Sequence, residues 1–148
     1  MATKKQELGA WGEMLISRHF ACPRCKNYYS LRRLPTNFKC ADIICDFCGY
    51  LAQVKTVSVN DVTKIPRKVL GAAWGPQQKR MKAGIYFPLF LVLRNKSKKA
   101  VFYLATEFQM PGMFKKRKPL SKTARRSGWQ GFMYDIASLK TGALVKIL

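Results

Sequence analysis

Two Cys-x-x-Cys knuckles constrain the folding of this chain more than anything else in it. Cys22-Pro23-Arg24-Cys25 and Cys45-Asp46-Phe47-Cys48 enclose 19 residues between them. Each knuckle lets two thiolates reach one ion from a tight turn, and the separation matches the four-cysteine zinc pattern. The two turns must then meet in space, whatever the intervening segment does. Four thiolates leave no open coordination position, so the zinc expected here is structural. The alternatives are four unlinked thiols in a core, or an iron–sulfur cluster, for which no other redox signal is present. The fifth cysteine, Cys40, falls outside the pattern and reads as a buried thiol.

The second knuckle occupies the turn of a hairpin, with residues 41–44 leading in and 50–55 leading out. Gln53 and Lys55 are two apart, so on a strand they share one face while Val54 points into a core. Asp42, on the partner strand, can face them across the pair. Together they read Asp-x10-Gln-x-Lys, a variant of the carboxylate, Glu, Lys array of metal-dependent nucleases. In such an array Asp42 anchors a hard cation, Mg²⁺ or its substitute Mn²⁺. Gln53 offers its side-chain carbonyl and Val54 its backbone carbonyl. Lys55 stabilises developing charge or orients the attacking water. Glu13, on a preceding helix, is a further candidate for the same cluster. The spacing by itself is weak, because a lysine-rich chain produces it from a salt-bridged Asp and a phosphate-contacting Lys.

The chain holds 28 Lys plus Arg against 7 Asp plus Glu, a formal charge of +21. Such a field draws polyanions, and nucleic acid is the usual partner. A ribosome-like structural protein or an anionic membrane surface would also carry it. No basic amphipathic helix is evident, which argues against a membrane partner. A chain of 148 residues makes one domain with a proper core. The apolar stretch 85–93 is too short to span a bilayer and is interrupted by Pro88. Residues 1–7 lead into no apolar run, so no signal peptide is expected. A cytoplasmic, reducing location follows, which again favours metal over disulfide for the cysteines.

Periodicity predicts a helix over residues 5–20, with Leu8, Trp11, Leu15 and His19 near one face. Strands are predicted over 54–59, 85–94 and 100–108, the last two as a hairpin around the charged turn 95–99, with a final short strand over 132–136. Residues 60–68 read as a loop. Residues 69–82 are ambiguous, because Gly71, Gly75 and Pro76 leave room only for a short helix near 77–81. The most basic stretch, 110–130, interleaves aromatic residues.

Three stretches resemble one known family, the DpnI-type restriction endonucleases of the PD-(D/E)xK superfamily. They are Cys22-Pro23-Arg24-Cys25; Ala41-Asp42 through the second knuckle to Gln53-Val54-Lys55; and the run from Arg117-Lys118-Pro119-Leu120 through Thr123-Ala124-Arg125-Arg126 to Gly128-Trp129-Gln130-Gly131. The resemblance implies an α/β, restriction-endonuclease-like core with a mixed sheet, flanking helices and an inserted four-cysteine zinc site. It places Asp42, Gln53 and Lys55 on the metal and catalytic positions. It implies Mg²⁺-dependent hydrolysis of duplex DNA at GATC sites carrying N6-methyladenine. Two departures matter. The middle acid of the family is Glu, and its replacement by Gln53 should weaken divalent-metal binding. A C-terminal winged helix that reads methylated DNA a second time is expected to be absent.

The basic segment then suits DNA reading. Lys118 and Lys122 either take part in binding DNA or belong to a solvated face. Arg125 and Arg126 can reach guanine O6/N7 bidentately or clamp phosphates. Trp129 either offers an apolar wall to an adenine N6-methyl group, at about 1 kcal/mol for one methyl, or belongs to the core. Trp11 and Trp74 read as core and His19 as an ordinary helix residue. Two rivals to the endonuclease remain: a catalytically inert zinc-containing binder of modified DNA, and a nuclease that reads DNA structure rather than sequence.

Overall fold

The computed structural model describes residues 2–38, 40–116 and 131–148. Helix α1 (Lys4–His19) starts at a capping box, in which the Gln6 N–H donates to Thr3 Oγ1 and the Thr3 N–H donates to Gln6 Oε1. Glu7 lies in its first turn and Arg18 and His19 in its last, the charge order the helix dipole favours. The helix buries Gly12, Leu15 and Ile16. Its inner face is therefore rotated from the predicted stripe. His19 is exposed, and Trp11 is only partly buried, with the Arg94 guanidinium 4.2 Å from its ring centre.

Strands β1 (Leu31–Arg33), β2 (Ile43–Cys45), β3 (Leu51–Ser58), β5 (Leu89–Asn95), β6 (Lys98–Leu104) and β9 (Leu144–Lys146) form one sheet in the order β1-β2-β3-β5-β6-β9. The β3–β5 pair is parallel and the other pairs are antiparallel, so the sheet is mixed. The crossover from β3 to β5 carries β4 (Lys68–Ala73) and α2 (Trp74–Lys82). Strand β4 joins β7 (Phe114–Lys116) and β8 (Gly131–Asp135) in a second, antiparallel sheet in the order β4-β8-β7.

Strand β5 is the divider between two cores. Its odd residues, Leu89, Leu91 and Leu93, join a cluster with Val69, Phe114, Phe132 and Tyr134 of the second sheet. Its even residues, Phe90 and Val92, join Leu15 and Ile16 of α1 and the knuckle residues Cys22 and Cys45. A strand buried on both faces reads as a continuous apolar run, which is why this stretch shows no alternation in sequence.

Several predicted bounds change. Strand β5 begins at Leu89 rather than residue 85, because Pro88 has no N–H to add to the ladder. Strand β6 stops at Leu104, and residues 106–108 form a turn of 3-10 helix. The ambiguous stretch 69–82 resolves into β4 followed directly by α2. Gly75 and Pro76 do not break α2, because they fall in its first turn, where a missing N–H leaves nothing unsatisfied. The strand at 131–135 is not the last, since β9 pairs onto β6 as a new edge. No helix among the described residues is long and apolar enough to cross a membrane.

Candidate active site and metal centre

The two knuckles come together as their spacing requires. The sulfurs of Cys22, Cys25, Cys45 and Cys48 all lie within 4.8 Å of one another. Cys22 and Cys48 are 3.6 Å apart, as are Cys25 and Cys45. A tetrahedron of thiolates around zinc has edges of about 3.8 Å, given Zn–S bonds of about 2.3 Å. The donor set therefore fits a four-thiolate metal site. The knuckles are built alike. The Lys26 N–H donates to Cys22 O and the Gly49 N–H to Cys45 O, both at 2.9 Å. Lys26 and Gly49 both take left-handed backbone, with φ of 66° and 79°. Burial pushes the Cys22 thiol up to about 12. Burial also works against the Cys45 thiolate, but the Ser30 hydroxyl and the backbone N–H groups of Cys48 and Phe47 outweigh it and bring it down to about 6. Arg24 ties the cluster together by donating to the carbonyl of Cys48.

The second site opens where β2 leaves β3. The β2–β3 ladder pairs Ile44 with Leu51 and Ile43 with Ala52, and the Asp42 N–H adds a last bond to Ala52 O at 2.9 Å. Beyond it the Val54 N–H has no strand partner, and the Asp42 carboxylate accepts it at 2.8 Å. Asp42 is itself held by its carbonyl, which accepts from the Leu34 N–H at 2.8 Å. The backbone of Gln53 is fixed from the other side by donation to Pro88 O at 2.8 Å. The residues of β3 alternate as predicted, with Val54 in the core. Asp42, Gln53, Lys55 and Glu13 line one cleft of about 490 Å³. Lys5, Lys68 and Tyr134 line it too.

The cleft is electrostatically strained. Burial pushes the Asp42 carboxyl above its usual range, against the pull of the Val54 N–H and the Lys55 charge. Burial and then the charge of Asp42 push Glu13 up, while its ion pair with Arg33, at 3.3 Å, pulls it down. Burial and the neighbouring charge of Lys5 push Lys55 below the usual lysine range, with Asp42 opposing. Desolvated carboxylates in a common cleft are the arrangement that a bound cation relieves.

Tyr134, from the second sheet, donates its hydroxyl to Gln53 Oε1 at 2.6 Å. Burial holds this phenol far above its usual range, so it is a neutral donor. The sequence reading missed it, along with Lys5 and Lys68. Tyr134 sits 81 positions from Gln53 in a short apolar strand, and nothing local marks it as more than core. Cys40 is half-buried at the rim of this cleft rather than buried, on left-handed backbone at φ 64°. Lys118, Lys122, Arg125, Arg126 and Trp129 lie outside the described residues.

The β2–β3 hairpin thus carries Cys45 and Cys48 of the cysteine cluster at its turn and Asp42, Gln53 and Lys55 of the cleft at its open end. The chain matches the family model described as DpnI, the Dam-replacing family, over residues 2–148, and it belongs to that family.

Proposed function

We propose that the protein is a divalent-metal-dependent endonuclease acting on duplex DNA, directed to N6-methyladenine in GATC-like sites. The observation that carries this is the cleft that gathers Asp42, Gln53, Lys55 and Glu13 beside the cysteine hairpin. Family membership supports DNA as substrate, and so does the formal charge of +21. The domain would be a single restriction-endonuclease-like unit, residues 1–148, acting in the cytoplasm where host DNA lies.

Asp42, Gln53 Oε1 and the Val54 carbonyl would hold Mg²⁺, for which Mn²⁺ can substitute. All three are oxygen donors, as a hard cation requires. A cation there supplies positive charge to the scissile phosphate and lowers the pKa of a bound water. Lys55, which lines the same cleft, would orient that water or steady the phosphate. Glu13 adds a second carboxylate, and Lys5 and Lys68 add positive charge at the rim for flanking phosphates. The four cysteines would hold structural zinc. Lys118, Lys122, Arg125, Arg126 and Trp129 would read the DNA, with Trp129 against the methyl group.

The test is one plasmid prepared with and without adenine methylation, incubated with protein and Mg²⁺ or Mn²⁺, beside Asp42→Ala and Lys55→Ala. Cutting of the methylated plasmid alone, lost in both variants, is the expected result. Equal cutting of both plasmids would keep the nuclease and remove the methyl requirement. The neutral charge of Gln53 favours one competing reading, an inert binder of modified DNA. Tight binding without cutting by either metal would establish it.

A further inference from the structure

A glutamine makes a poor ligand when left to itself. It is neutral, its side chain is long and rotatable, and its two ends are nearly the same shape. One end presents an oxygen to a cation and the other presents N–H donors that repel it. A glutamate needs no such orientation, because either oxygen serves and both carry charge. Replacing the charge therefore leaves a requirement for something that fixes the amide.

Tyr134 meets that requirement. Its hydroxyl lies 2.6 Å from Gln53 Oε1, within the range of a good O–H···O bond. Its ring is locked in place by Phe132 and Phe114, with ring centres 5.0 and 5.5 Å away. The strand beneath it is paired on both sides, to Val69 of β4 and Phe114 of β7. The anchor therefore belongs to the second sheet and not to the hairpin that carries Gln53. The amide oxygen has two lone pairs, so one remains for a cation after Tyr134 takes the other. A phenylalanine in its place would offer the amide oxygen no bond.

We infer that Tyr134 is the positioning residue that lets the neutral Gln53 act as a ligand, by pinning its amide from the second sheet. The inference rests on the reading of the Asp42 cleft as a divalent-cation site. It gives the second sheet a part in the site beyond packing.

The test is a titration of the zinc-loaded full chain with Mn²⁺ alone, without DNA, read from the paramagnetic resonance signal of free Mn²⁺. Wild type, Tyr134→Phe, Gln53→Glu and the double variant make a cycle. Tyr134→Phe is expected to weaken Mn²⁺ binding roughly tenfold or more, the usual size for losing a partner of a metal ligand. Zinc content should stay unchanged. In the Gln53→Glu background the same change should alter affinity by less than about threefold, because the carboxylate needs no pinning. An equal loss in both backgrounds would reduce Tyr134 to general packing and overturn the inference, and so would no loss in either. If wild type and Asp42→Ala bind Mn²⁺ alike, the cation-site reading falls and takes the inference with it, which is a different result from either. A second readout uses the wild type only. The Gln53 side-chain amide resonance should shift on adding Mg²⁺, and a signal that stays in place overturns the inference whatever the variants do.

Discussion

Gly12 of α1 presses directly on Thr56 of β3. A Cβ built on Gly12 would lie 1.7 Å from Thr56 Oγ1, 3.0 Å from its Cβ and 3.3 Å from its Cγ2. Rotating the threonine moves its branches but not its Cβ, which stays 3.0 Å from the added carbon, so side-chain rotation alone does not relieve the contact. The helix sits this close to the sheet because position 12 has no side chain, and Glu13 reaches the Asp42 cleft from that height.

Gly12→Ala should therefore lift α1 off β3. The expected destabilisation is about 1–3 kcal/mol, the usual size for forcing an extra methyl into a packed contact. Nicking of plasmid DNA, assayed well below the melting temperature, should fall further than stability does, because Glu13 is displaced with the helix. Unchanged melting would mean that the helix has slack at this crossing.

The same contact leaves a polar atom stranded. Among the described residues, Thr56 Oγ1 is the one buried side-chain N or O atom without a hydrogen-bond partner. An unmet buried hydroxyl is a cost, and a methyl of similar shape removes it. Thr56→Val should leave the protein as stable as before or up to about 1 kcal/mol more stable. Chemical denaturation checks this, and a clear loss of stability would show that the hydroxyl has a partner in solution.

What sequence showed of this site follows the range of the contacts. The knuckles and the Asp42, Gln53, Lys55 array are local, within one hairpin and its approach, and period-two alternation was enough to put Val54 inside and its neighbours in the cleft. Helix α1 was legible as a helix and its inner face in part: Leu15 and Trp11 pack on the core as read, but Gly12 and Ile16 were missed. The close approach at Gly12 turned Ile16 inward and His19 out, a tertiary fact with no signature in spacing. Strand β4 stayed hidden because Gly71, Gly75 and Pro76 look like breakers. Gly71 is needed there, since a Cβ would meet the Phe132 ring at 2.4 Å. Tyr134 was invisible because its bond to Gln53 joins residues 81 positions apart on two different sheets.

The cysteine cluster should be structural in a measurable way. Cys22 and Cys45 belong to the same apolar cluster as Leu15, Ile16, Phe90 and Val92. Removing the metal would leave four thiols packed within 4.8 Å of one another and loosen that cluster along with the knuckles. One zinc per chain is expected by elemental analysis. Stripping it with a strong chelator should destabilise the fold by several kcal/mol, since metal-binding energy at such sites is folding energy. Cys25→Ser should do the same in part. A protein that melts identically with and without chelator would show that the cluster is not a metal site.

The charge of Asp42 gives the last expectation, and its sign is unusual for an aspartate. Burial raises the folded-state pKa of Asp42 above its unfolded value, and burial together with Asp42 does the same to Glu13. A raised carboxyl contributes stability that is full below the unfolded pKa and is lost as pH rises through the folded one. Above its folded-state pKa the charge of Asp42 is therefore a net burden on the protein while no divalent cation fills the cleft. Asp42→Asn keeps an oxygen for the Val54 N–H and removes the charge. It should raise the melting temperature at pH 7 without added divalent metal, and the gain should shrink as pH falls toward about 4, where carboxyls protonate. Protonation of the cysteines also destabilises at low pH, but it is common to both proteins and cancels in the difference. Adding Mn²⁺ should reverse the order, because the wild type alone gains the binding energy of the cation. If Asp42→Asn melts lower than wild type at pH 7 without added Mn²⁺, then Lys55 already satisfies the Asp42 charge and the cleft is not poised for a cation.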